Sequence, residues 1–370
     1  MPQIKLSGRI RDFNDSHADF QHVIATEKNI VGPILGDDQK PIYKGGEGKT
    51  TSNKENFDQW FRDTTEVNQG KRFDIVLNDD DNDGIFTYDN QEFFPIDNEL
   101  FGNQGRPHNY HFTYEIHSAF TYQGHEKFTF DGDDDLWLYI DGKLVIDLGG
   151  VHKALTDTVD LQLTNGSAEL TLPLDTGETL TLRKGENYSF ALFFAERHTS
   201  ESHFRIDTSM LLKPAPVICI KATDPKATEP KHGVVATDTG KLLIYAEEPV
   251  MEDTVVTYTV GGSATEGSDY KSIERSVTLL KGQKEAVIEI TPLADKNFYE
   301  GVETVVLTLQ PGENYDLDDC KVAKVKIAEP KYVKPEPPKP EPPKSKKLYY
   351  VLICCLLLLL VVFCGAYFLH

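Results

Sequence analysis

Apolar residues in this chain come in short runs that alternate with turn-forming clusters. FDIVL, HFTYEIH, KFTF, LWLYI, KLVIDL, AELTLPL and YSFALFF follow one another between residues 73 and 194. Signals such as Asp141-Gly142 and Asn165-Gly166 separate them. Short apolar and aromatic runs bounded by Gly, Asn and Asp read as β-strands. KPAP at 213–216 breaks the pattern, and a second series follows: KLLIYA, VVTYTV, SVTLL, AVIEITPL, TVVLTL and AKVKIA. No stretch before the C-terminal tail sustains a helical period. The pattern predicts two all-β domains, at 1–213 and 214–330.

LWLYI is apolar at every position, which suits a strand buried on both faces and places Trp137 in a core. Asp141-Gly142 then predicts a tight hairpin into KLVIDL. Just before this strand stand Asp133, Asp134 and Asp135. Adjacent carboxylates repel one another, so a positive group is expected there. Calcium, which takes six to eight oxygens, is one candidate. Arg197, in the polar segment AERHTSESH at 195–203, is another, and would make the site structural. A second acidic run places Asp79, Asp81, Asp83 and Gly84 in D-x-D-x-D-G spacing. That is the front half of a calcium loop, although Asn90 stands at the twelfth position where a bidentate Glu is usual.

The tail has a different character. KYVKPEPPKPEPPKSKK, at 331–347, predicts an extended Pro-rich stalk. The uncharged run at 348–369 is long enough to predict a transmembrane helix, with Tyr349, Tyr350 and Tyr367 at its interfaces. Lys344, Lys346 and Lys347 precede it, and the N-terminus shows no apolar run of signal-peptide length. The expectation is a single-pass, tail-anchored protein partnered with a lipid bilayer. Its head would be exposed on a cell surface or on a virion assembled in the cytoplasm, or would face the cytosol from an internal membrane.

Composition narrows the function. With 39% apolar and 10% aromatic residues the chain has material for real cores. A formal charge of −21 argues against nucleic acid and suits a divalent cation or a neutral ligand. Of five cysteines, Cys354, Cys355 and Cys364 lie in the apolar tail. Cys219 and Cys320 are expected as free thiols in a reducing compartment, with a single bridge as the alternative. No nucleophile, zinc or phosphate-loop motif appears, so an enzyme is not expected.

GDDDLWLYIDGKLVIDLGGVH, with SGRIRDFNDSHADFQ, FFPIDNELFG, HNYHFTYEIHSAFTY and FFAERHTSESHFRIDTSM, resembles the fibro-slime domains. These are a branch of the protective-antigen-like carbohydrate-binding superfamily. The resemblance covers about residues 4–212 and implies a lectin-like β-sandwich. In lectin members such as the fungal flocculins, two adjacent aspartates joined by a cis peptide hold calcium, which binds vicinal sugar hydroxyls. That pair would fall on Asp133 and Asp134, with Asp135 beside them and His198, Ser200 and Ser202 completing a ligand site. The flocculin ligand loops are not recognisable here.

VICIKATDPKATEP, YTVGGSATEGSDY and LLKGQKEAVIEITPLADKNFYEGVETVVLTL resemble a Calx-beta domain, an immunoglobulin-like sandwich, across about 216–329. The resemblance carries calcium ligands onto Glu229, Asp269, Asp295, Glu300 and Glu303. Lys296 stands where many members have another aspartate, which weakens such a site, so this domain is expected to act mostly as a spacer. Together these readings predict a calcium-dependent carbohydrate-binding adhesion head for a glycan or glycoprotein. The alternative is a structural surface or coat protein whose calcium only rigidifies it.

Overall fold

The computed structural model describes residues 2–21, 23–164, 166–231, 238–250, 253–294, 301–312, 315–330 and 353–357. Residues Met1–Glu329 form one compact unit and Pro330–His370 another. The first unit contains two β-structures with separate cores.

The N-terminal structure is built on one 11-stranded sheet. In hydrogen-bonded order its strands are Leu155–Asp160, Lys127–Gly132, Phe204–Thr208, Phe86–Asn90, Asn68–Asn78, Gln3–Phe13, Phe112–Thr121, Asn187–Glu196, Asp135–Ile140 and Lys143–Leu148. Lys213–Pro214 adds beside Phe112–Thr121. Rings from distant strands of this order touch, as in Phe128 with Phe190 at 5.3 Å and Phe194 with Phe204 at 5.1 Å between centroids. The sheet therefore curls over a single aromatic core, which removes its apolar face from water.

Asp135–Ile140 is buried along its whole length. Leu136, Leu138 and Ile140 face the main core. Trp137 and Tyr139 face a second cluster with Phe57, Trp60, Phe61 and Phe193. A short helix, Lys54–Phe57, brings Phe57 onto this outer face, and Asn53 caps it by accepting from Asn56 N at 2.9 Å. At the hairpin, Asp141 and Gly142 both take positive φ, 51° and 68°. Two consecutive positive φ values match the right-handed twist of the flanking strands.

The C-terminal structure is a sandwich of a 4-stranded and a 5-stranded sheet. Val217–Asp224 belongs to the first and Lys226–Thr228 to the second, so the chain changes sheets at Pro225. Their alternating inward residues, among them Ile218, Leu242, Val256, Leu307 and Val325, form the core. This sandwich is no free spacer: Arg9 Nη2 donates to Asp319 at 3.3 Å and Lys321 Nζ to Asp63 at 3.0 Å. Both contacts join the first sheet's outer face to the second sandwich.

Two expectations are corrected. Cys219 and Cys320 form a disulfide rather than free thiols, with Cα atoms 5.1 Å apart. Ile220 N donates to Cys320 O at 2.9 Å, which ties the turn carrying Cys320 to the Val217–Asp224 strand that holds Cys219. The C-terminal single-pass anchor is not supported either: among the described residues no helix is long and apolar enough to cross a membrane. Of the run at 348–369, only a helical stretch at 353–357 is described. The Pro-rich stalk at 331–347 lies outside the described residues.

Candidate functional site

The register places the notable acids at two opposite ends of the sheet. Gln3 pairs with Asn78 at one end and Phe13 with Asn68 at the other. Asp79 follows Asn78 directly. Asp12 and Glu196 both pair with Phe112, and Ala195 pairs with Asp135, so Asp133–Asp135 lie at the Phe13 end. Some ten residues of strand separate the two ends, roughly 30 Å at ~3.3 Å per residue.

At the Phe13 end the three aspartates are all buried and all engaged. Asp133 Oδ2 accepts from His203 N at 3.0 Å. Asp134 accepts from His152 N at 3.1 Å and from Arg197 N at 2.8 Å. Asp135 accepts from Gly150 N at 2.6 Å and pairs with Arg197 Nε at 2.6 Å. Gly150 has φ of 109°, and a Cβ there would collide with Ala25 O. Only glycine lets the backbone turn its N–H toward Asp135 at that approach. Among the described residues no cis peptide bond is present, including at Asp133–Asp134. The cis link implied by the flocculins is thus absent, and Asp134 instead takes a left-handed φ of 52°.

Arg197 is the cation that offsets the triplet's repulsion. Its Nη1 donates to Thr50 O at 2.5 Å and Asp19 O at 3.1 Å, its Nη2 donates to Thr50 Oγ1 at 3.2 Å, and its Cζ lies 4.6 Å above the Trp60 ring. One positive charge does not balance the whole rim. Glu196, the residue before it, is fully buried; its Oε1 accepts from His198 N at 3.4 Å, and its Oε2 has no hydrogen-bond partner among the described residues. Burial first, and then the neighbouring Asp134 charge, push the Glu196 carboxyl well above the usual range. Burial likewise raises Asp134 to about 7, with Arg197 opposing and Asp135 adding to the shift.

Around this acidic rim, the expected ligand residues fall into separate roles. Ser202 is buried and its hydroxyl donates to Phe93 O at 2.9 Å, so it closes a loop. Ser200 is exposed and His198 half-buried. His203 touches Gln91 Nε2 at 2.8 Å and Asp89 Oδ1 at 3.3 Å. Nearby, His108 stacks on Phe94 at 4.0 Å between centroids, with Tyr110 edge-on to both. The sequence reading missed Glu196 and this aromatic group. Glu196 was detectable as the one acid ending the continuously apolar strand YSFALFFA.

At the opposite end, Asp79, Asp81 and Asp83 bring one carboxylate oxygen each within 4.8 Å of one another, the one such acidic, His or Cys grouping among the described residues. Asp79 accepts from Asp83 N at 3.0 Å and Gly84 N at 3.2 Å, which shapes the turn. The oxygens' spacing fits an ion ligated at 2.3–2.6 Å. Asp133, Asp134 and Asp135 show no such convergence.

In the second sandwich, Asp269 accepts from Thr265 N at 2.5 Å. Glu229 is buried, with its N–H donating to Ala328 O at 2.9 Å, and Glu303 pairs with Ile327 across the sheet. Asp295 and Glu300 lie outside the described residues. Glu329, not anticipated from the sequence, has both carboxylate oxygens buried without a hydrogen-bond partner among the described residues.

Residues 56–219 match the PA14 domain, a module of a carbohydrate-binding-like superfamily. The central Gln3–Phe13 strand lies outside that match. Three proteins of Dictyostelium discoideum are similar. Protein psiR is 35% identical over 206 residues, covering 51% of this chain and 19% of that protein. Protein psiC is 37% identical over 204 residues, covering 51% and 36%. Protein psiD is 34% identical over 225 residues, covering 56% and 41%. The chain thus spans less than half the length of these relatives. Among solved structures, the apo Calx CBD1 domain aligns over 30% of this chain and 99% of its own, at 18% identity and a TM-score of 0.24. A glycosyl hydrolase family 2 member from Bacteroides cellulosilyticus aligns over 58% and 28%, at 13% identity and a TM-score of 0.18.

Proposed function

We propose that the N-terminal sandwich is a carbohydrate-binding head of adhesion type, fibro-slime-like within its superfamily, whose ligand meets the rim formed by Asp133, Asp134 and the Glu196–His203 segment. The PA14 match supports the ligand class. The observation that carries the placement is the buried Glu196 carboxyl beside Asp133 and Asp134, whose Oε1 accepts from His198 N at 3.4 Å while its Oε2 has no hydrogen-bond partner among the described residues. Buried acids in such a group are stable only if they keep their protons or gain a cation. Calcium drawn to Asp133 and Glu196 would relieve them and exchange its waters for sugar hydroxyls. The half-buried Phe94 and His108 rings, backed by buried Tyr110, offer a surface for the apolar face of a sugar ring. The rim's acids and histidines are read as binding groups.

The structural alternative has its own support: Arg197 and backbone N–H groups already engage all three aspartates, so the loops are held without an ion. A glycan array probed with the full chain, with calcium and with chelator, separates the two readings. Glycan binding that chelator and Glu196→Gln both abolish supports the calcium-dependent head. Calcium-linked thermal stabilisation with no glycan bound supports the structural protein instead.

A further inference from the structure

The second sandwich covers a charged stripe on the first sheet and leaves a cavity of about 210 Å³ between them. The wall from the first sheet consists largely of ion pairs, such as Arg9 with Asp63, Arg62 with Asp38 and Lys40 with Glu115. Tyr315 and Asp316 form part of the opposite wall. Two buried polar atoms on these walls, Arg11 Nη1 and His117 Nε2, lack a hydrogen-bond partner among the described residues. Arg11 Nη1 lies 3.1 Å from Glu115 Oε1 as an ion pair but without hydrogen-bond geometry. His117 Nε2 is buried with no partner, and the half-buried Asp316 lines the same space. Arg11 and His117 are only 3% and 8% exposed, so bulk water does not satisfy them. Buried groups left unpaired in this way call for an occupant.

The charges indicate what kind. Six basic and five acidic side chains line the cavity, so neither an anion nor a cation is strongly favoured. Burial pushes His117 down to about 4, which leaves its ring neutral at physiological pH. Arg11 requires an acceptor, Asp316 a donor when ionised, and His117 takes either. A hydroxyl supplies both functions, and neighbouring hydroxyls on one ring supply them to all three groups together. Phe61 and Tyr315 on the walls suit the C–H face of such a ring. The volume equals about seven waters at ~30 Å³ each, more than one water needs. Junctions between domains are a usual place for small-molecule sites.

We infer that the cavity between the two sandwiches is a second binding site, which takes a polyhydroxylated ligand of monosaccharide size through Arg11, His117 and Asp316. It is independent of the rim, which lies at the strand ends, whereas Glu115 and His117 lie along the sheet face turned to the second sandwich.

Saturation-transfer NMR on the full chain in chelator, with D-glucose, D-galactose, D-mannose and N-acetyl-D-glucosamine as probes, tests this. Asp316→Leu and His117→Phe fill the same space without the polar groups. The expected result is that at least one sugar binds in chelator and that each variant weakens it about tenfold or more. Thermal melts identify a variant that fails to fold, leaving the other to decide. Loss of all sugar binding in chelator would assign the cavity to water, and binding undiminished in the folded variants would place the sugar elsewhere. Either outcome overturns the inference, while the calcium-dependent glycan array at the rim is read separately.

Discussion

Arg197 Nε and Asp135 Oδ2 lie 2.6 Å apart, and neither side chain reaches solvent. Removing one member of a buried pair leaves the other charged and dry, at a cost of about 3–5 kcal/mol. Arg197→Met is therefore expected to lower stability by about that amount in chemical denaturation. Adding Asp135→Leu should recover only part of it, because Thr50 O and Asp19 O also lose their donor. Full recovery in the double variant would show that the other Arg197 contacts contribute nothing.

The rim acids make stability depend on pH. Asp134, raised to about 7, and Glu196, raised well above the usual carboxyl range, hold protons in the folded state at pH values where the unfolded chain has released them. Their contribution is complete below the unfolded carboxyl pKa of about 4 and is lost as pH rises through the folded values. His111 and His117, both pushed down to about 4 by burial, act in the opposite sense, but only below the ordinary histidine pKa of about 6.5. Between pH 6.5 and 8 in chelator, the wild-type chain should lose about 1–3 kcal/mol of stability. Glu196→Gln should lose less, and calcium should restore the wild type at pH 8. Equal slopes for wild type and variant in urea titrations would remove Glu196 from the account.

The disulfide predicts a different response. Cys219 and Cys320 are 101 residues apart and enclose most of the second sandwich. Closing a loop of that length stabilises by roughly 4–5 kcal/mol in the chain-entropy description. Reduction, or Cys320→Ser, should lower the melting of the second sandwich while the Trp60 and Trp137 fluorescence of the first stays native. Simultaneous loss of both signals would mean that the two sandwiches unfold as one.

How much of this was legible beforehand depended on how local the cause was. The double-sided burial of LWLYI and the Asp141-Gly142 turn follow from neighbouring residues alone, and both stand in the structure. Arg197 was legible only as an alternative to calcium, since its partner lies 62 positions away. The Gln3–Phe13 strand escaped the apolar pattern because Arg9 and Arg11 occupy its outer face, where acids of the second sandwich and Glu115 receive them. Cys219 and Cys320 were judged by compartment, whereas the geometry that joins them is a tertiary property. The three groups around the domain cavity come from three strands about 100 to 300 residues apart, so no sequence window contains them.

The loop at the far end of the sheet permits a test that the rim cannot confuse. Asp81 and Asp83 are exposed, and with buried Asp79 they are three carboxylates within 4.8 Å, so water must supply an ion's remaining ligands. Calcium titration by calorimetry should then show a weak component, with a dissociation constant of about 10⁻⁴ M or above. Asp81→Asn with Asp83→Asn should erase that component and leave apo stability nearly unchanged, because the turn depends on Asp79 accepting from Asp83 N and Gly84 N. Asp79→Asn should weaken the turn itself, with or without calcium. If the double variant keeps the weak component, the three oxygens are only a solvated acidic turn, and any calcium bound by the chain belongs to another site.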